Sequence, residues 1–362
     1  MVGDATREAT WSGIPRHLLE AARPRGFLQG GLALAPERLR GRRALWNLGQ
    51  LLTTGERGGF QYTAGFLDAL WAQRAGEAEG AEILTHFALL PPESARVERM
   101  SCYIDATLRQ NFEEYGLAAI VSSRVRADAL ARERAAYERA ERVVCMSRWA
   151  ARSVVEAYGI AAAKVHVVRA GANLDEVAVA SLPPHGPVDR SELRLGFVGK
   201  DWRRKGLPFL LEVAEAIEAR GQRVRVLALG PSPADVPAHR LLEPLGYFDK
   251  TRDLARFATA ARRAHFGCLF SFAEALGIST LEFLRLGVPV AGVDLGGIPD
   301  CIDAGVGLLA PAQATPGAVA IGLLDLWEPM RYDGLLAAVR ARSGELTWDQ
   351  AVTRLQALWP RA

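Results

Sequence analysis

The sequence predicts an α/β protein of two domains, each built on a parallel sheet. Three observations carry this. Apolar strand-like runs alternate with helical stretches through both halves of the chain, the order that builds parallel sheets. The stretch Ala180–Asp189, ASLPPHGPVD, holds three prolines and a glycine and separates two such regions. The length, 362 residues, is long for one core and comfortable for two. The expected division is 1–180 for the first domain and 189–330 for the second. A terminal amphipathic helix within 346–362, carrying Trp348 and Trp359, is expected to return to the first domain.

Composition excludes several classes. Hydrophobic residues make up 49% and charged residues 23%, ordinary for a globular chain, and the formal net charge is only +3. No zinc-finger spacing or basic, aromatic-interleaved array points to nucleic acid. The four cysteines (Cys102, Cys145, Cys268, Cys301) form no CxxC pair and read as buried thiols of a reducing compartment. Met1–Thr10 lacks the apolar core of a signal peptide, and no window reaches a membrane span. The expected location is the cytoplasm. Arg38–Arg43, RLRGRR, runs into Trp46, Leu48 and Leu51 at helical spacing. That pattern suits either an anionic membrane surface or a plain solvated helix face.

In order, Trp11–Pro15, WSGIP, is a tight turn opening a helix near Arg16–Arg25. Ser12 and Gly13 are either a backbone loop for a phosphate or acceptor, or a helix cap. Ala81–Phe87 is an expected strand with His86 at its carboxyl end, where open α/β sheets place ligands. His86 is read as a site residue or a structural one. Met100–Asp105 is the next strand; Asp105 is a site candidate, with an N-cap role for Asp105 or Thr107 as the alternative. A helix over Arg124–Arg142, a strand over Arg142–Ser147, a helix capped by Ser147 and stopped at Gly159, and a strand over Lys164–Arg169 complete the domain.

The second domain opens with the strand Leu193–Val198, then Gly199–Gly206, GKDWRRKG, then a helix over Leu207–Arg220. A Gly-bounded loop with four cations between strand and helix suits a phosphate. It is neither a P-loop nor a GxGxxG turn. Strands follow at Val224–Leu229, near Leu245 and at Phe266–Phe270. The aromatics of GYFDK would flank a nucleobase or fill the core.

The chain is organised around Ser271–Gly297. Glu274 and Glu282 stand with seven residues between them, Gly277 lies inside that interval, and a strand Val288–Val293 and a Gly-Gly turn follow. Free N–H groups at a helix start, with a carboxylate on each side, suit a ligand with phosphate and polyol parts. A nucleotide-sugar is the obvious candidate.

These motifs, FVGKDWRRKG, GYFDK, FAEALGISTLEFLRLGVPVAGVDLGGIPD and GLLAP, occur in the order and spacing of one family. The chain resembles the glycosyltransferases of family 4, with the GT-B fold of two Rossmann-like domains facing a cleft. WSGIPRHL, YIDAT and ERAERVVCMSRWAARSVVEAYGI agree more loosely, and the likeness covers roughly residues 10–360. It implies a retaining, metal-independent enzyme, without cofactor, that moves a sugar from a nucleotide-diphosphate donor to a hydroxyl of a glycan or lipid-linked acceptor, with possible peripheral membrane contact. Glu274 would then bind donor-sugar hydroxyls and Glu282 the ribose. The N–H groups around Leu276, Gly277 and Ile278 would meet the distal phosphate. Lys205 would neutralise the diphosphate, helped by Arg204 or Lys200. Lys200 and Lys205 are five apart, where the family usually spaces its cations by six. Asp105, then His86, would face the acceptor, with Ser12-Gly13 as the family's N-terminal Gly-loop. The family's first strand is expected ahead of that loop, and only Met1 and Val2 match its tail. The alternatives are an epimerase or phosphorylase on the same fold and a non-catalytic binding subunit.

Overall fold

The computed structural model describes residues 3–8, 10–54, 58–86 and 90–359. The chain forms two compact units, Met1–Arg169 with Arg354–Ala362, and Ala170–Thr353.

The first unit holds a parallel sheet in the order β1-β2-β3-β4: Glu82–Thr85, Arg99–Ile104, Arg142–Cys145 and Val165–Val167. After β2 and β3 the chain leaves the sheet to cap the helix that follows. Thr107 accepts from Gln110 N and Gln110 reciprocates, a full capping box. Ser147 accepts from Ala150 N, as expected. Phe87, Met1 and Val2 lie outside the described residues. One face of the sheet packs Cys102, Ile104, Val143 and Cys145 against Tyr137, Val154 and Tyr158. A second cluster gathers Leu34, Phe60, Phe66, Leu70 and Trp71. The helix expected to reach Arg142 is Ser123–Arg139; it ends early because Arg142 opens β3. The helix after Ser147 continues through a π turn, Ser153–Ala157, and stops at Gly159 with φ +70°. The helices Ala64–Trp71 and, in the second unit, Pro329–Arg342 were not foreseen from sequence.

The second unit holds a parallel sheet in the order β10-β9-β8-β5-β6-β7. The strands are β5 Leu193–Val198, β6 Val224–Leu229, β7 Leu242–Gly246, β8 Phe266–Leu269, β9 Val290–Val293 and β10 Gly307–Ala310. β7 ends at Gly246 and Tyr247–Asp249 are loop, the strand-to-loop step expected near Leu245. Ile298–Asp300 is a single 3-10 turn, where a helix start was expected. The chain steps outward in opposite directions on either side of β5 and β8, the doubly wound order that leaves a crevice at their carboxyl ends. The loop Gly199–Gly206 leaves β5, and the loop beginning at Phe270 leaves β8.

The units divide at Ala170 and not at the Pro-rich linker. Hydrogen bonds explain why residues 170–189 stay with the second unit. Ala172 N donates to Leu346 O at 2.8 Å and Trp348 Nε1 to Asn173 Oδ1 at 2.8 Å. Within the linker, Arg262 donates to Pro183 O at 2.8 Å and the His185 ring meets Leu286 O at 2.9 Å. The last helix, Trp348–Gln356, begins in the second unit and its continuation belongs to the first. There Trp359 stacks edge-on with Phe27 at 5.2 Å and lies under the Arg142 guanidinium at 4.9 Å.

Candidate donor site

The site grows from two loops that share backbone. Phe272 N donates to Arg204 O at 2.9 Å, and Ser271 Oγ reaches Arg204 O at 3.1 Å and Ala273 O at 2.8 Å. The loop after β5 and the loop after β8 are thereby one construction. Gly206, at φ +81°, opens the helix Leu207–Glu218 so close to β8 that a Cβ there would sit 2.0 Å from Phe270 O. On the far side, Gly297 N donates to Glu274 O at 3.0 Å, and a Cβ on Gly296 would lie 2.0 Å from that same oxygen. The Gly-Gly turn is the close approach that fixes the Glu274 backbone.

Glu274, Lys205 and Arg204 converge. Lys205 Nζ lies 3.4 Å and Arg204 Nη1 3.7 Å from Glu274 Oε2. Arg204 also grips Asp201, Nε to Oδ2 at 3.0 Å. The two approaches to Glu274 are ion pairs too long for strong hydrogen bonds. Glu274 Oε2 is buried and accepts no hydrogen bond from the protein. Lys200 goes elsewhere: its ammonium sits over the exposed Tyr247 ring at 4.2 Å. Of the three cations considered, Lys205 and Arg204 face the carboxylate.

Gly277, at φ +83°, starts the helix Ile278–Arg285 with no side-chain cap. The first-turn N–H groups after Leu276 and Gly277 therefore stand uncapped by any side chain. Cys301 Sγ holds Leu276 O at 3.0 Å from behind. Glu282, one turn along, is buried, and its Oε1 is bound by Lys250, which also donates to Asn173 O at 3.4 Å. Lys250 was missed from sequence. It lay in GYFDK, a motif read only for its aromatics, and it is one of four lysines in the chain. Phe248 of that motif stacks on Phe257 at 6.1 Å, and Tyr247 stays exposed.

In the first unit the candidates are more dispersed. His86 is buried; its Nδ1 lies 2.8 Å from Tyr103 O, and burial holds its pKa down at about 4, so the ring is neutral near pH 7. It lines a cavity of ≈ 1060 Å³ shared with Trp71, Leu84, Tyr103 and Trp359. Asp105 follows β2 directly, and Thr107, not Asp105, caps the next helix. Trp11 and Ser12 adopt φ +48° and +56°, left-handed values unusual for L side chains, ahead of Gly13 at φ +84°. The helix Ile14–Ala22 is entered through Gly13, which as N-cap supplies no side-chain cap. The Glu8 carboxylate packs over Gly13, 2.6 Å from where a Cβ would stand. Among the described residues, no group of three or more His, Cys, Asp or Glu is placed to hold a metal ion.

Two family models match. Glycosyl transferases group 1 covers residues 192–328, and Glycosyltransferase Family 4 covers residues 64–176. Among curated proteins, a D-inositol 3-phosphate glycosyltransferase of Gordonia bronchialis is 26% identical over 252 residues, covering 64% of this chain and 54% of that protein. One from Catenulispora acidiphila is 27% identical over 259 residues, with 64% and 60% covered. The chain thus spans little more than half the length of these relatives. Among solved structures, sucrose-phosphate synthase from Thermosynechococcus elongatus superposes with TM-score 0.57 at 20% identity, over 81% of this chain and 76% of that one. WaaG, a glycosyltransferase involved in lipopolysaccharide biosynthesis, gives TM-score 0.55 at 16% identity, over 75% and 80%.

Proposed function

This chain belongs to the family 4 glycosyltransferases with the GT-B fold, and we propose that it moves a sugar from a nucleoside-diphosphate donor to a hydroxyl acceptor with retention at the anomeric carbon. The observation that carries the reading is the buried Glu274 Oε2, which faces Lys205 and Arg204 and takes no hydrogen bond. A buried carboxylate oxygen needs a donor. Sugar hydroxyls supply one.

Each group then has a task. Bond cleavage loads charge onto the departing diphosphate. Lys205, Arg204 and the uncapped N–H groups from Leu276 to Ile278 stabilise that charge without reorganising. Glu274 orients the sugar through its hydroxyls, and Glu282 accepts from the ribose. Lys200, beside the exposed Tyr247, serves the nucleoside end. Neither glutamate is a nucleophile or an acid in this scheme. Cations do the work of a metal, and no cofactor takes part. The first unit binds the acceptor, a glycan or lipid-linked glycan, with Asp105 foremost and His86, Ser12 and Gly13 supporting. A reducing, cytoplasmic setting accords with four free, buried cysteines.

The test is a melting-temperature panel of UDP-, GDP- and ADP-sugars, followed by turnover with the donor that binds. One donor class should stabilise the chain by about 2.7 kcal/mol at a hundredfold excess over Kd. Glu274→Ala should then lose most transfer. If no nucleotide-sugar shifts the melt, the donor reading falls. If a donor binds but is only epimerised, the transferase reading falls.

A further inference from the structure

We infer that Lys250 is a positioning residue for the donor: it presents Glu282 to the ribose, so that the choice of ribose over deoxyribose depends on the lysine as well as the glutamate. This rests on the donor reading above and states how its nucleoside end is recognised.

Glu282 alone would be a poor reader of hydroxyls. Its side chain is 3% exposed. Thr280, Leu281, Phe283 and Leu284 beside it on the helix Ile278–Arg285 are buried and carry no charge. A lone carboxylate at that depth is costly and turns toward whatever donor it can reach. Lys250 fixes where it turns, by donating to Oε1. A carboxylate can accept about four hydrogen bonds, so one ammonium leaves room for a hydroxyl.

Lys250 is itself held from several sides. Asp249 Oδ1 accepts from Thr251 N at 3.0 Å and Thr251 Oγ1 at 2.7 Å. Asp249 O accepts from Arg252 N at 3.1 Å and Asp253 N at 3.0 Å, which closes the turn that carries the lysine. The ammonium lies 5.6 Å from the centre of the buried Phe257 ring and donates to Asn173 O at 3.4 Å. Asn173 is buried and fixed in turn by Trp348. A lysine is ordinarily a mobile point charge; one with three such neighbours is a fixed one. Pinned at one oxygen, Glu282 presents the other in a single orientation, one turn along the helix from the N–H groups at Gly277 and Ile278. That order, phosphate donors and then a carboxylate, is the order of diphosphate and ribose in a nucleotide.

A lysine that only neutralised Glu282 would matter for stability and not for which sugar is bound. Calorimetry on the full chain separates the two roles, below the melting temperature of the weakest variant. The probes are inorganic pyrophosphate, then UDP, GDP or ADP as the donor panel selects, and the 2′,3′-dideoxy form of that diphosphate. The parent should prefer the ribose form by about tenfold or more, as for a hydrogen bond to a charged group. Lys250→Met, and Lys250→Gln, which keeps a donor but no charge, should each lose most of that preference. Lys250→Arg, which keeps a cation, should retain about threefold or more. Pyrophosphate should bind all variants as it binds the parent, since Lys205 and Arg204 are untouched. Undiminished ribose preference in Lys250→Met or Lys250→Gln overturns the inference, as does a parent that binds both forms alike. Loss of pyrophosphate binding along with the preference also overturns it, because the lysine would then hold the shape of the whole site. A parent that binds no nucleoside diphosphate brings down the donor reading itself, and the role of Lys250 with it.

Discussion

Lys250 holds Glu282. Its ammonium donates to Glu282 Oε1 and to the Asn173 carbonyl, and Asn173 Oδ1 is in turn bound by Trp348 Nε1 at 2.8 Å. A carboxylate whose side chain is 3% exposed is thus neutralised by a lysine and not by solvent. Removing one partner of such a pair strands the other charge. Lys250→Met should destabilise the second unit by about 3 kcal/mol, and Lys250→Met with Glu282→Gln should recover most of that loss. Urea unfolding of the two variants decides it. A single variant as stable as the parent would sink the idea.

Gly199 makes room for Lys205. A Cβ at residue 199 would sit 2.3 Å from Lys205 Cδ, so Gly199→Ala must push the lysine stem aside. Its effect on nucleoside-diphosphate affinity should resemble that of Lys205→Ala, a loss of about 1.5–3 kcal/mol. Lys200→Ala should lose much less, because Lys200 lies over Tyr247 and away from Glu274. Calorimetry with the nucleoside diphosphate ranks the three. Equal losses for Lys200→Ala and Lys205→Ala would contradict the assignment.

Gly296 combines φ +58° with a would-be Cβ 2.0 Å from Glu274 O. Backbone cannot yield as a side-chain tip can. Gly296→Ala should displace the Glu274 loop, costing about 2 kcal/mol or more of stability and most donor affinity. Gly334→Ala, where nothing lies within 4 Å, is the control and should be neutral. Melting and donor binding of the pair provide the check.

Glu133 brings a pH dependence to the first unit. It is fully buried, accepts from Tyr137 Oη at 2.8 Å, Leu108 N at 3.0 Å and Tyr158 Oη, and burial raises its pKa to about 7. An unfolded glutamate titrates near 4.3. The folded state therefore holds this proton more tightly than the unfolded chain does. Its contribution is fully present below that lower value and is lost as pH rises to about 7, at most roughly 4 kcal/mol. His86, held down at about 4, acts in the opposite sense and costs stability as pH falls below 6.5. Glu133→Gln should flatten the decline between about pH 4.5 and 7 and leave the acid loss steeper. Unchanged stability curves would refute the role.

The second unit was legible because its glycines are dictated by backbone geometry. Gly206, Gly277 and Gly296 sit at positive φ and Gly297 at a close approach, so the motif and the loops it builds are the same fact. β5, β6 and the helix Leu254–Ala261 were foreseen to the residue for a related reason: each is a mostly apolar run bounded by polar or turn residues. Lys250 was not legible, since a cation's partner is a matter of tertiary approach. The unit boundary was misplaced because proline content marks stiffness, while the division follows the bonds from Ala172 and Asn173 to Leu346 and Trp348. Residues 26–81 were the least readable. The helix Arg40–Thr54 leaves Leu45, Leu48 and Leu52 exposed, so helical spacing there marks no core face.

β1 has one further consequence. No strand pairs with its outer edge among the described residues, and its sequence, Glu-Ile-Leu-Thr, carries neither proline nor lysine. The exposed edge at β7 is defended by Pro244, with Glu243 tied to Arg263. In a concentrated solution this edge, guarded only by its shortness and by Glu82 held to Arg99 and Trp359, is the place in the first unit for strand to add to strand while both cores stay folded. Light scattering that grows with concentration at a temperature where circular dichroism is unchanged, and that Leu84→Lys suppresses, is the signature to look for. Shelf life and fold stability are then separate properties of this chain.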